Sequence, residues 1–177
     1  MNNLTQNFVK EILYYDSETG VFLWKHRDLK HFKSICSQKK WNTRYAGMVA
    51  GDIDGKGYWR IAINRRRYIA HRVAWLYVYG HWPKQTIDHI DGDRLNNKIK
   101  NLRDVSYTEN NQNVRYLNGK KDNSCGFLGV TKCNDNKYHA RIGHNKKTIH
   151  LGYHDTPEEA HKEYLEMKRK LHSGFML

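Results

Sequence analysis

The segment from Ile87 to Asn110 constrains the chain most, because polar residues dominate it while signals for regular structure stand at both of its ends. Ile87-Asp88-His89 reads as the end of a short strand, and the glycine- and asparagine-rich run from Asp91 to Asn97 reads as a loop. Leu102-Arg103-Asp104-Val105 reads as a return strand, and Ser106 followed by Glu109 is a capping box that opens a helix. The spacing predicts a β-β-α unit with Asn110 in the first turns of the helix, able to point back at Asp88 and His89. Although Asp91, Gly92, Asp93 and Asn96 suggest a calcium loop, the twelfth position counted from Asp88 is Ile99, where an EF-hand requires glutamate.

Only Pro83 and Pro157 punctuate the 177 residues, so boundaries are sought in glycine and in shifts of pattern. The polar stretch Asn118 to Ser124 has no periodicity and reads as a linker. The expected organisation is a first domain over 1–116, with its β-β-α core at about 85–116, a linker at 117–124 and a second domain over 125–177. In the first, Phe8 to Tyr15 is predicted as a helix and Val21 to Trp24 as a strand, with residues 26–46 basic and poorly patterned. Tyr58 to Ile63 alternates as a strand, turns through Arg65, Arg66 and Arg67, and continues as a hairpin into Tyr68 and Ile69. Val73, Ala74, Tyr77 and Val78 recur at helical spacing from His71 to Tyr79, where Gly80 ends the helix. In the second domain three strands are predicted, Gly129 to Cys133, Tyr138 to Gly143 and Thr148 to Tyr153. A helix follows from Pro157 to Leu171, capped by Thr156 and striped with Ala160, Tyr164, Met167 and Leu171.

Charge bears on the partner. Lys and Arg number 31 against 18 Asp and Glu, a formal net charge of +13, and the 12 Tyr and 5 Trp argue for a folded basic protein over a disordered tail. A polyanion is the implied partner. No apolar run approaches the roughly 18 residues of a membrane span, and the first residues lack the pattern of a secretory signal, so a cytoplasmic protein is expected. Cys36, Cys125 and Cys133 form no Cys-x-x-Cys pair, which leaves free thiols as the default.

Through Asp88-His89, Asn101-Leu102-Arg103 and Asn110, the chain resembles the HNH endonucleases, in particular phage homing-type enzymes of the ββα-metal fold. The likeness extends upstream to Tyr15-Asp16, Thr19-Gly20, Trp24, Gly57-Tyr58 and His71-Arg72-Val73-Ala74-Trp75. The second domain resembles the ethylene-response (Apetala-type) DNA-binding domain. That likeness is carried by Gly129-Val130, Tyr138-His139-Ala140-Arg141-Ile142, Leu151-Gly152 and the alanine-bearing helix, with Leu128 and Tyr138 departing from that family's arginine and tryptophan. The fold so implied is α+β, a ββα-metal nuclease domain followed by a small three-stranded antiparallel sheet packed on one helix.

Phosphodiester hydrolysis needs a nucleophile and relief of developing negative charge. A neutral imidazole within hydrogen-bond reach of water can take its proton, which makes His89 the expected general base. Asp88 and Asn110, a carboxylate and an amide carbonyl, are hard oxygen donors suited to Mg²⁺ or Mn²⁺ over Zn²⁺. By resemblance, Asn101 ties the loop together and orients His89, while His71 occupies a recurrent family position whose role here is packing or hydrogen bonding. Arg65, Arg66, Arg67 and Arg72 are expected on phosphates, and Lys132, Lys137, Tyr138 and Arg141 on the DNA contacted by the second domain. Such a site handles one phosphate at a time, so a monomer that nicks duplex DNA, with no obligatory protein partner, is expected, and the resemblance to the family implies 5′-phosphate and 3′-hydroxyl ends. The rivals are a noncatalytic DNA-binding regulator on the same fold and an RNA-cleaving toxin.

Overall fold

The computed structural model describes residues 4–112, 125–133 and 135–172. It divides into two compact units, Met1–Val105 and Ser106–Leu177, each mixing helices with antiparallel strands. The expected linker at 117–124 lies outside the described residues.

The first unit begins with α1 (Gln6–Ile12), capped by the Thr5 side chain, and passes directly into β1 (Leu13–Tyr15). The helix therefore ends at Ile12, short of Tyr15. Leu13 and Tyr15 are buried while Tyr14 is exposed, a period-2 pattern that lets β1 pair antiparallel with β2 (Phe22–Trp24). Gly20, at φ +78°, makes the turn between them possible.

After a single 3₁₀ turn at Leu29–His31 comes α2 (Ile35–Tyr45), in the basic stretch where the sequence has no clear period. The Ser34 side chain caps it by accepting from the Ser37 amide. Its inward residues are chiefly polar or aromatic, and Asn42 alone among them is buried, which is why no apolar stripe announces this helix.

Strands β3 (Asp52–Ile53), β4 (Trp59–Ile63) and β5 (Arg66–Ile69) form a sheet in that order. The β4–β5 turn is narrower than the arginine run suggests. Asn64 and Arg65 both take positive φ, 48° and 63°, as a two-residue hairpin turn demands, so Arg66 and Arg67 are strand residues. Helix α3 (Ala70–Tyr79) follows without a loop and ends on Gly80 at φ +80°. β6 (Thr86–His89) and β7 (Leu102–Val105) then pair antiparallel, with Asp88 opposite Arg103 and His89 opposite Leu102.

One apolar core joins these parts. Val9 and Ile12 of α1, Phe22, Ile61 and Ile63 of the strands, and Val73, Ala74 and Leu76 of α3 are buried together with Ile87 and Leu102. Each large aliphatic side chain so buried stabilises the fold by about 1.5–3 kcal/mol. Because Ile87 and Leu102 belong to the same core, the β6–β7 hairpin is anchored next to its polar loop.

In the second unit, α4 (Tyr107–Gln112) starts at a reciprocal capping box: the Glu109 carboxylate accepts from the Ser106 amide and hydroxyl, and the Ser106 hydroxyl accepts from the Glu109 amide. β8 (Val130–Lys132), β9 (Tyr138–His144) and β10 (Lys147–His154) form an antiparallel meander with β9 central and a bulge between His150 and Gly152. α5 (Pro157–Leu171) opens with Thr156 as its cap and Pro157 in the first turn. Ala160 and Tyr164 are buried from it, with Val130 and Ala140 of the sheet. Gly129 at φ +76° lies under the Tyr164 ring, where a Cβ would stand 2.0 Å from Cδ2, so no other residue fits unless the ring moves.

Candidate active site

The hairpin β6–β7 places Asp88 and His89 at its loop end, and both are buried, at 6% and 5% exposure. Arg103, directly across the ladder from Asp88, donates from Nε at 2.9 Å and from Nη2 at 2.7 Å to the same oxygen, Asp88 Oδ2. Such a partner offsets part of the cost of burying a carboxylate.

The His89 backbone carbonyl accepts from the Gly92 amide, closing a turn, and Ile90 donates to the Asn101 carbonyl. Asn101 fastens the loop further. Its Oδ1 accepts from the Asp91 amide at 3.0 Å, and its Nδ2 donates to Asp91 Oδ1 and to the Asn96 carbonyl, each at 2.9 Å. Burial opposes the charge on Asp91, yet hydrogen bonds from Asn96, the Asp93 amide and Asn101 hold its carboxyl below the usual carboxylate range.

Burial drives the His89 ring toward its neutral form, while the Asn97 side chain and the carboxylates of Asp91, Asp88 and Asp93 pull the other way; the net effect is a pKa below the ordinary histidine value. A second imidazole, His71 at the start of α3, packs edge-on with a centroid separation of 5.0 Å. His71 is 6% exposed and its buried Nδ1 has no hydrogen-bond partner among the described residues, and burial, then the neighbouring His89 and Arg72, push its pKa down to about 3. Tyr58 completes the wall, 5.6 Å from His71 and 6.2 Å from His89 between centroids, and the Arg94 guanidinium lies 4.9 Å from the Tyr58 ring centroid.

The loop is also held from the chain's beginning. The buried Tyr15 hydroxyl donates to the Asn97 carbonyl at 2.7 Å, and Gly20 sits so close that a Cβ there would meet the Asn97 and Lys98 backbone at 2.6 Å. Asn97, Arg103 and Tyr58 are participants that the motif reading did not assign a role. The Asp88–Arg103 pairing could have been read from the register of two four-residue strands, whereas the Tyr15–Asn97 contact spans 82 positions and leaves no local signal.

Asp88, His89 and Asn101 are thus brought together within the first unit. Asn110 is half-buried on α4 of the second unit, with its amide bonded to the Ser106 carbonyl in the first turn of the helix. Arg65, Arg66 and Arg67 are all exposed on the β4–β5 hairpin. Arg72 is tied to its own unit, donating to the Gln85 carbonyl at 3.4 Å and lying 5.9 Å from the Trp82 ring centroid. In the second unit Lys132 is exposed at the end of β8, and Lys137 forms an ion pair with Asp155. Tyr138 packs against the Val130, Ala140 and Ala160 core. Arg141 is exposed on the opposite side of β9, paired in register with His150. That side also carries His139, whose Nε2 lies 3.0 Å from His150 Nδ1 and whose ring stacks on Tyr153 at 4.8 Å.

A buried histidine beside a carboxylate, next to a loop clasped by an asparagine, is chemically able to accept and return a proton. Residues 68–112 match the family model described as HNH endonuclease. Over 123 residues the chain is 29% identical to an uncharacterized HNH endonuclease of Acanthamoeba polyphaga mimivirus. That alignment covers 68% of this chain and 62% of the relative, so the chain spans less than two thirds of the relative's length. No solved structure matches. These similarities support a nuclease of the HNH type. Among the described residues no helix is long and apolar enough to cross a membrane.

Proposed function

We propose that the chain is a metal-dependent, site-selective endonuclease that nicks duplex DNA in the manner of homing-type HNH enzymes. The observation that carries the reading is the His89 imidazole, buried beside Asp88, disposed to be neutral at physiological pH, and placed at the end of β6 next to a loop clasped by Asn101. A neutral imidazole accepts a proton from water as that water attacks phosphorus, and the surrounding carboxylates stabilise the imidazolium that forms. Asp91, Asp88 and Asp93 act in that sense on His89.

Asp88 and Asn110 would hold Mg²⁺ or Mn²⁺. Asp88 is a buried carboxylate already facing a cation, and both side chains offer hard oxygen, so the donors suit such an ion; the choice of Asn110 rests on its place in the sequence after β7. When bound, the ion supplies Lewis-acid stabilisation of charge on the phosphate and leaving oxygen. The exposed arginines of the β4–β5 hairpin would grip phosphates. The ββα-metal character of residues around 85–116, a phosphate contact by Arg72, the Apetala-type role of the second unit and its DNA contacts by Lys132, Lys137, Tyr138 and Arg141 belong to the same proposal.

One observation favours a noncatalytic DNA-binding protein: Arg103 places two donors on the Asp88 oxygen that a cation would seek. A plasmid-nicking assay separates the readings, run with Mg²⁺ and with chelator on wild type and His89→Ala. Metal-dependent nicking lost in the variant is expected, and equal activity in both proteins defeats the mechanism. Direct conversion of supercoiled plasmid to linear form, with no nicked circle, defeats the single-strand reading.

A further inference from the structure

We propose that α2 is a nucleic-acid contact surface whose outward cations, Lys39, Lys40 and Arg44, lie on the phosphate backbone of duplex DNA. This rests on the reading above that DNA is the partner, and it adds an element to which neither motif nor family match assigns a role; the HNH match begins only at Tyr68.

Three observations carry it. First, no Asp or Glu occurs from Leu29 to Gly51, a stretch with five Lys and Arg. Lys30 is paired with Glu11, whereas Lys33, Lys39, Lys40 and Arg44 are exposed and have no carboxylate within ion-pair reach among the described residues. Lys40 and Arg44 stand one turn apart, about 6 Å along the axis, with Lys39 beside them on the same outward side.

Second, α2 is not placed by an apolar core. Asn42 is its single buried residue, and it clasps the backbone of Arg27 by accepting from the amide at 2.9 Å and donating to the carbonyl at 3.0 Å. Gln38 donates to the same carbonyl at 3.0 Å. The Arg27 guanidinium lies against both the Trp24 and Trp41 rings, 4.9 and 4.5 Å from their centroids, with Nε and Nη2 buried and without hydrogen-bond partners among the described residues. Leaving buried donors unsatisfied costs about 1–3 kcal/mol each, partly offset by cation–π attraction. A helix that buries little and is nonetheless pinned this firmly is held for the sake of the face it presents.

Third, that face suits phosphates and not a lipid surface. A helix that lies on a membrane turns an apolar face outward, but α2 turns Trp41 and Tyr45 into the aromatic cluster with Trp24 and Phe32. Ile35, Cys36, Ser37 and Thr43 are also exposed on α2, but its only charged side chains are cations, and each phosphate neutralised releases counterions, giving salt-sensitive grip without sequence discrimination.

The experiment measures binding of the full chain to a labelled mixed-sequence duplex in chelator, so that no cleavage is involved, between about 50 and 200 mM salt. The triple variant Lys39→Gln, Lys40→Gln, Arg44→Gln is compared with a charge-matched control on exposed positions of α5, Lys162→Gln, Arg169→Gln, Lys170→Gln. The α2 variant is expected to flatten the slope of log K against log salt by about 2 to 3 and to weaken binding on the order of tenfold or more for every duplex, with the control changing much less. Arg27→Lys, which keeps the charge but loses the planar stack, is expected to weaken binding while the outward cations remain. An unchanged slope in the α2 variant, or an equal change in both triples, overturns the proposal. So does unaltered DNA binding alongside lost binding to phosphatidylserine vesicles, which points to a membrane instead. If the wild type nicks DNA through His89 but the α2 variant binds normally, this inference fails and the nuclease reading stands. If the wild type binds no duplex, both fail.

Discussion

Replacing Tyr15 by phenylalanine tests how the β6–β7 loop is supported. The ring is 5% exposed and stacks on Phe22 at 4.6 Å, so the variant keeps its packing and loses one oxygen. That oxygen donates to the buried Asn97 carbonyl at 2.7 Å, and the Gly20 backbone is packed too closely there for water to replace it without displacement. A buried acceptor left unsatisfied costs about 1–3 kcal/mol, and for a unit of this size each kcal/mol lowers Tm by roughly 4–8 °C. The expected result of calorimetry on the full chain is a transition lowered by at least about 4 °C. Because the Asn97 side chain favours the charged form of the His89 ring and its backbone is held by Tyr15, kcat for nicking is expected to fall about tenfold with KM little changed. Tyr14→Phe is the control, since Tyr14 is 51% exposed and should shift neither quantity. A Tyr15→Phe protein with wild-type Tm and wild-type kcat would refute the view that the loop is held from the N-terminal hairpin.

The pKa of His71, pushed down to about 3 by burial, makes the first unit acid-sensitive. The unfolded chain binds a proton near pH 6.5 that the folded one refuses, so this contribution is intact above that pH, declines by about 2 kcal/mol by pH 5, and keeps falling toward pH 3; a flat urea midpoint between pH 7 and 5 contradicts it. Arg103→Leu removes the guanidinium that faces the buried Asp88 carboxylate and is expected to cost up to about 3–5 kcal/mol, while the double variant with Asp88→Asn recovers part of it; additive losses in urea unfolding would show that the pair is not coupled. Gly129→Ala drives a methyl into the Tyr164 ring at a backbone angle that disfavours side chains, costing about 2–4 kcal/mol from overpacking and φ strain together. Limited proteolysis within residues 125–172 should accelerate in that variant, and an unchanged digestion rate would count against the packing described.

What was legible in the sequence was what is encoded within a few residues. The Ser106–Glu109 box, the Thr156-Pro157 start of α5, the Gly80 stop of α3 and the strand pair around Asp88 and Leu102 all appear where local chemistry put them. What the sequence left unread has equally local causes. Phe8, Ile12 and Tyr15 share a helical face, but Leu13 and Tyr15 gain more by burying on alternate sides of a hairpin closed at Gly20. α2 escaped because its inward face is Gln38, Trp41, Asn42 and Tyr45, held by hydrogen bonds and stacking that leave no hydrophobic period. Tyr138 alternates with His139 and Arg141 along β9, and only the register with β8 and β10 decides which of them meets α5. At the candidate site, the residues that hold the loop from a distance, Tyr15 and Gly20, had no pattern to be read from, because the contact exists only once the core of the first unit has formed.

That dependence bears on where the working part of the first unit begins. The family match starts at Tyr68 and ends at Gln112, yet the loop after His89 has its backbone fixed by Tyr15 and Gly20, and the wall beside His89 is Tyr58. Ile87 and Leu102, which anchor the hairpin, are buried in a core supplied by α1, β1, β2 and β4. A segment of about 45 residues is also below the size at which a single hydrophobic core ordinarily suffices. The residues that carry the proposed chemistry are therefore positioned by a scaffold mostly encoded before them. A substitution as far back as Tyr15 is therefore expected to reach His89, by way of the Asn97 backbone that the Tyr15 hydroxyl holds.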